Sequence, residues 1–198
     1  MPVVIFLHGN ASSRMEGLYQ GEVLLEKGIN VFAFDFSGSG MSEGEYISLG
    51  IHEKDDLKDI IDFVEKLPGV GNIGLWGRSM GAATAIMYMK DDPRVKVACF
   101  DSPFSDFPKL ANEIAKKMIN LSDTILKMAL QFMNKTIKDK ANADIFQIVP
   151  IKNAPDVKIP GIFIHAESDE IVPLQHGLDL YKEYGGIIIY IMHKHINY

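Results

Sequence analysis

The chain has 198 residues, 47% hydrophobic and 23% charged, with a formal net charge of −6. That length suffices for one domain with a substantial core, and an acidic balance with no basic stripe to neutralise phosphates excludes nucleic acid as the expected partner. The single Cys, Cys99, cannot form an internal disulfide, no apolar run approaches the roughly 20 residues of a membrane span, and no basic leader precedes Val3, so the expected location is cytoplasmic.

Val3 to Leu7 is a continuous run of β-formers, which reads as a strand covered on both faces and ends in His8-Gly9-Asn10. A helix is predicted from Arg14 to Lys27, capped by Ser12 or Ser13 and stopped by Gly28. Val31 to Phe34 is a second strand, followed by Asp35 and a turn-rich loop over Ser37 to Gly44. Helical spacing returns from Ile51 to Leu67, with Leu57, Ile60, Ile61 and Val64 on one face and Pro68-Gly69 as its stop. A short strand ending at Trp76 leads through Gly77 to Gly81 into the helix Ala82 to Met89, and Val95 to Phe100 is the next strand. Cys99 within it reads as a small buried hydrophobe. Ile162 to Ile164 is a strand, Leu174 to Tyr184 a helix and Ile187 to Ile191 a last β-forming run. Alternation of this kind implies a mostly parallel sheet with helices on both faces, a three-layer α/β sandwich.

Residues 104–157 break the alternation. They carry Leu110, Ile114, Met118, Leu121, Ile125, Met128, Ala129, Phe132 and Met133 at helical spacing, too long a stretch for one crossover. Two or three helices with a joint near Asn120–Asp123 fit better. An insertion at the carboxyl edge of a parallel sheet lies over the usual ligand crevice, so the segment is expected to be a helical cap on a core formed by 1–103 and 158–198. Its methionines are expected to fill the cap core or to wall an apolar substrate.

Gly77-Arg78-Ser79-Met80-Gly81 is Gly-x-Ser-x-Gly between a strand and a helix, the context that makes this pattern a nucleophile elbow. The turn strains the Ser backbone and brings helix close to strand, which is why side chains are excluded on either side. The hydroxyl then stands at a helix start, where free amides favour developing negative charge.

Together with His8-Gly9-Asn10, Asp101-Ser102-Pro103-Phe104 and the segment Ile164 to Pro173, the elbow resembles the α/β-hydrolase superfamily over nearly the whole chain. It is most similar to the serine-hydrolase branch that includes acyl hydrolases, depalmitoylases and prolyl-oligopeptidase-type peptidases. The resemblance implies a serine hydrolase cleaving an ester, thioester or amide of a small, apolar acyl substrate, with no cofactor or metal. Peripheral contact with a membrane is compatible with that substrate. Ser79 is then the nucleophile, the backbone amides of Met80 and Asn10 the oxyanion hole, and Asp169 the acid, with Asp101 as its rival. Of six histidines, His8 and His165 are expected to be structural, and His52 and His176 to be solvated near helix starts. His195 is the expected base and His193 the alternative.

The run from Ile187 to Tyr198 departs from the resemblance, with no Gly before its histidines and no closing helix. Its Ile, Tyr, Lys, Asn, His and Met have A/T-rich codons, so it reads as translated non-coding sequence in place of the last strand and base, and the start at Val3 is equally abrupt. On that expectation the competing function is a catalytically impaired scaffold that binds a ligand. A dinucleotide loop at Ser37 to Gly40 lacks the third glycine and the helix behind it.

Overall fold

A computed structural model describes residues 1–90, 92–118 and 122–194. Its elements run β1 (Val3–Leu7), α1 (Met15–Glu26), β2 (Asn30–Ala33), α2 (Glu53–Val64), β3 (Ile73–Arg78), α3 (Met80–Met89), β4 (Val95–Asp101), α4 (Phe107–Met118), α5 (Asp123–Ala141), β5 (Gly161–Ala166), α6 (Leu174–Glu183) and β6 (Ile188–His193). Three 3-10 turns, Ile145–Gln147, Pro150–Lys152 and Ala154–Asp156, join α5 to β5. The strands form one sheet in the order β2-β1-β3-β4-β5-β6, and every described pairing is parallel.

β1 lies inside the sheet, with Val3 opposite Asn30 on one side and Ile73 on the other. The chain therefore steps one way to β2 and the other way to β3. Where the winding direction reverses, the loops leaving adjacent strands turn to opposite faces and leave a crevice at their carboxyl ends. Those two ends carry Gly9 and Ser79.

Alternation along the strands decides the two faces. Phe6 turns toward α1, where Gly17 leaves room for its ring: a Cβ on Gly17 would lie 2.9 Å from it. Ile5, Leu7, Leu75 and Phe100 turn to the other face, against Leu57, Ile61 and Val64 of α2 and Ala82, Ala85 and Ile86 of α3. Each such aliphatic side chain contributes about 1.5–3 kcal/mol by leaving water. α6 joins this face through Leu180, while Tyr184 just beyond it packs edge-on against Phe100 and Phe163.

Two local expectations need correction. Neither Ser12 nor Ser13 caps α1. Arg14 holds that position, and Ser13 Oγ reaches only the Met15 amide, at 3.4 Å. The helix end is as expected, with Gly28 at φ +74° and nothing near the place of its missing Cβ. Among the described residues two α-helices lie between β4 and β5, α4 ending at Met118 and α5 starting at Asp123, and the expected joint near Asn120 lies mostly outside the described residues. Only part of their apolar surface is internal. Leu110, Ile145 and Ile148 pack with Ala83, Met87, Phe104 and Val172, whereas Met118, Ile125, Met128 and Phe132 face outward, so these methionines are neither cap core nor cavity wall.

Candidate active site

Ser79 is the one residue between β3 and α3, and its backbone sits at φ +48°, ψ −111°. A non-glycine residue holds such a conformation only when its surroundings over-determine it. The Ser79 amide donates to the Asp101 carbonyl at 2.8 Å, and its carbonyl accepts from the Ala83 amide at 3.0 Å. The two glycines admit no side chain. A Cβ on Gly77 would stand 2.5 Å from the Ala82 nitrogen, and one on Gly81 would overlap the Leu7 carbonyl. Because both obstacles are backbone, Gly81→Ala is expected to destabilise the protein by about 3 kcal/mol and to abolish any Ser79 chemistry. By contrast, Gly9→Ala meets nothing nearer than 3.7 Å and should be tolerated. Denaturant midpoints of the two variants check this pair.

Half-buried Ser79 opens into a cavity of about 460 Å³, which it shares with Arg78, Ser102, Asp169 and Glu170. Asp169 stands in the loop after β5. Its Oδ1 accepts from the amides of Ile171 at 2.9 Å and Val172 at 2.8 Å, fixing the carboxylate and leaving Oδ2 turned away from those donors. Oδ2 is 3.7 Å from His165 Nε2, which itself bonds the Val172 carbonyl at 2.8 Å. His165 is fully buried and serves this turn. The structure thus brings Ser79 and Asp169 to one cavity. Asp101 is buried at the end of β4, its carbonyl on the Ser79 amide and its carboxylate accepting from Ser102 Oγ at 3.1 Å. The Cys99 thiol behind it is pushed up to about 12 by burial, with the Asp101 charge adding to the effect.

The loop after β1 runs directly beside the elbow. A Cβ on Gly9 would be 3.8 Å from Ser79 Cβ. Fully buried His8 shapes this loop: its Nδ1 bonds the Gly9 carbonyl at 2.8 Å and its Nε2 accepts from the Phe36 amide at 3.1 Å. Glu16, unremarked in the sequence, clamps the loop to the elbow. It accepts from the Gly9 amide at 3.0 Å and pairs with Arg78. With the Gly9 amide engaged, the next along the loop belongs to exposed Asn10. The Met80 amide lies at the first position of α3.

His193, the alternative base, ends β6. It is exposed, its carbonyl accepts from the Glu167 amide at 2.9 Å, and it is not among the residues lining the cavity. His195 lies outside the described residues. Of the two histidines expected to be solvated, His52 is exposed, as expected, and His176 is not. His52 Nε2 bonds the Ala141 carbonyl at 2.8 Å, tying the start of α2 to the end of α5. His176 is 0% exposed: its Nδ1 meets Ser105 Oγ at 2.8 Å and its Nε2 meets Glu113 Oε2 at 2.9 Å. Burial holds the His176 imidazole below its ordinary range, against the opposing pull of Glu113. An unfolded chain takes that proton near pH 6.5 where the folded one does not. Stability contributed by neutral His176 is therefore lost as pH falls below about 6.5. Thermal melts between pH 7 and 5 should show a steeper decline for the native chain than for His176→Gln.

Ser102 is the other residue that the sequence left unread. It lines the same cavity at φ +49°, a conformation that the following Pro103, which favours an extended residue before it, does not announce.

The family model described as serine aminopeptidase, S33, matches residues 2–148. YqkD of Bacillus subtilis (strain 168) is 29% identical over 189 residues, 92% of this chain and 60% of its own. The lysophosphatidylserine lipase ABHD12 of Danio rerio is 26% identical over 190 residues, 91% of this chain and 46% of its own. The chain thus spans about half to three-fifths of these relatives. Among solved structures, the Pyrococcus furiosus esterase Pf2001 superposes with a TM-score of 0.73 at 25% identity, covering 97% of this chain and 74% of the esterase.

Proposed function

The chain belongs to the serine aminopeptidase S33 family and has the α/β-hydrolase fold, and from that premise we propose that it cleaves a carboxylic ester, thioester or amide through an acyl-enzyme on Ser79. The observation that carries this reading is the strained Ser79 backbone at the head of α3, with Ser79 and Asp169 lining one cavity. Similarity to a lipase and an esterase favours an apolar acyl substrate over a peptide.

In the proposed reaction Ser79 Oγ attacks the acyl carbon while a histidine takes its proton. His195 is the assigned base and His193 the alternative. The tetrahedral oxyanion is held by the amides of Met80 and Asn10, each worth on the order of 10²–10³ in turnover. Collapse breaks the bond to the leaving group, which takes the proton from the imidazolium. Water, deprotonated by the same histidine, then releases the acid and restores Ser79. Asp169 fixes the tautomer of the base and stabilises its imidazolium form; Asp101, with its carboxylate engaged by Ser102, is the rival for that role. Residues 104–157 act as a cap over the crevice of the 1–103 and 158–198 core.

A fluorophosphonate probe tests the reading. It should form a covalent adduct that peptide mass mapping assigns to Ser79, while a nitrophenyl ester series of rising chain length reports the acyl preference. An intact chain that neither reacts with the probe nor hydrolyses any ester would overturn it.

A further inference from the structure

Helix α5 is apolar on two sides. Leu126 is buried and Leu130 and Ile137 pack inward, but Ile125, Met128 and Phe132 form a second stripe at the spacing i, i+3, i+7. These three are 49%, 64% and 74% exposed. Two turns of helix separate the first from the last, a contact length of about 11 Å. The end of α4 repeats the pattern, with Met118 78% exposed beside exposed Lys116 and Lys117.

Charge distinguishes this stripe from the rest of the surface. Residues 107–144 carry seven lysines against four carboxylates, a balance of +3 in a chain of −6. Lys127 and Lys135 on α5 are exposed. Lys135 continues the stripe itself, three residues beyond Phe132 and seven beyond Met128. Exposed Asp139, seven residues beyond Phe132, closes the stripe, but an apolar stripe carrying Lys135 within a segment of +3 suits an interface whose interior is hydrocarbon and whose surface is negative. A second copy of this chain would offer the same apolar stripe but would set one +3 segment against another. Among the described residues no helix is long and apolar enough to cross a membrane, so contact through α5 would lie along the surface.

We propose that α5 and the end of α4 dock on an anionic lipid bilayer, with Ile125, Met128 and Phe132 entering the headgroup layer and the lysines meeting lipid phosphates and carboxylates. The cavity lies beside this face, since Lys117 Nζ donates to the Glu170 carbonyl at 3.1 Å and Glu170 lines the cavity. A single-chain lipid ester leaving the bilayer then has a short path to Ser79. In naming that substrate the proposal rests on the hydrolase reading, whereas the docking itself does not.

Co-sedimentation of the full chain with vesicles tests it, using phosphatidylcholine with or without about 30% phosphatidylserine. The chain should pellet with the anionic vesicles and release in about 1 M salt, where screening acts within about 3 Å. Met128→Ser with Phe132→Ser should lower partitioning about tenfold or more. Lys127→Gln and Lys135→Gln should each lower it about fivefold. All four positions are exposed, so melting temperatures should hold. The Ser79→Ala protein should bind like the native chain, which separates docking from catalysis. Absence of binding, or equal binding by the stripe variants, would overturn the proposal. So would a concentration-dependent dimer that Phe132→Ser dissociates in the absence of vesicle binding.

Discussion

Ser79→Ala is expected to lower turnover of a short-chain nitrophenyl ester by on the order of 10⁶ while the protein stays folded. No described side chain bonds the Ser79 hydroxyl; the bonds that hold the residue are made by its backbone, to Asp101 and Ala83. Alanine keeps both and meets the same strain at φ +48°. The melting temperature should therefore stay close to that of the native protein, and the loss should fall on kcat. Residual hydrolysis would come from the amides at the loop after β1 and the head of α3, which the substitution leaves in place. Labelling by the fluorophosphonate probe should vanish with the activity. A Ser79→Ala protein that turns over ester at the native rate would end the case for this residue as nucleophile.

The second large effect concerns Asp169. Asp169→Asn is nearly isosteric, and its outcome follows from the two amides on Oδ1. Ile171 and Val172 both donate there, so the asparagine must present its oxygen to them and its NH₂ to the base. An imidazole facing an NH₂ group can only accept from it. That fixes the wrong tautomer, with the base proton on the nitrogen that must receive the Ser79 proton. Turnover should fall by on the order of 10⁴ with little change in KM. Asp101→Asn keeps the main-chain carbonyl that holds the elbow, so it should leave kcat near the native value. If Asp101→Asn instead produced the larger loss, the two carboxylates would exchange roles. In the native chain the rate should also fall as pH drops through the imidazole range near about 6.5.

The elbow was legible because everything that defines it is local. Two glycines, a serine, a strand before and small residues after lie within a few positions of one another, and the obstructed glycines at 77 and 81 are the reason for the spacing. The parallel sheet was legible for a similar reason, since buried strands and amphipathic helices announce themselves by period. What escaped depends on residues far apart in the chain. His176 lies in the first turn of a helix and looks solvated by position, yet Ser105 and Glu113 enclose it from another part of the fold. Glu16 reads as an ordinary first-turn acid and is in fact the clamp between Gly9 and Arg78. The outward stripe of α5 was misread because hydrophobic spacing marks a face without saying what that face meets.

The sheet topology bears on how the chain acquires this structure. None of the described strand pairs is a hairpin, and β1 must wait for residues 73–77 before its second edge is satisfied. At a synthesis rate of roughly 5–20 residues per second, several seconds separate the appearance of the two segments. Through that interval Val3 to Leu7, an uncharged run of β-formers, is an open template for pairing with other nascent chains. Slow, chaperone-dependent maturation is the expected consequence of the same winding that sets Gly9 beside Ser79.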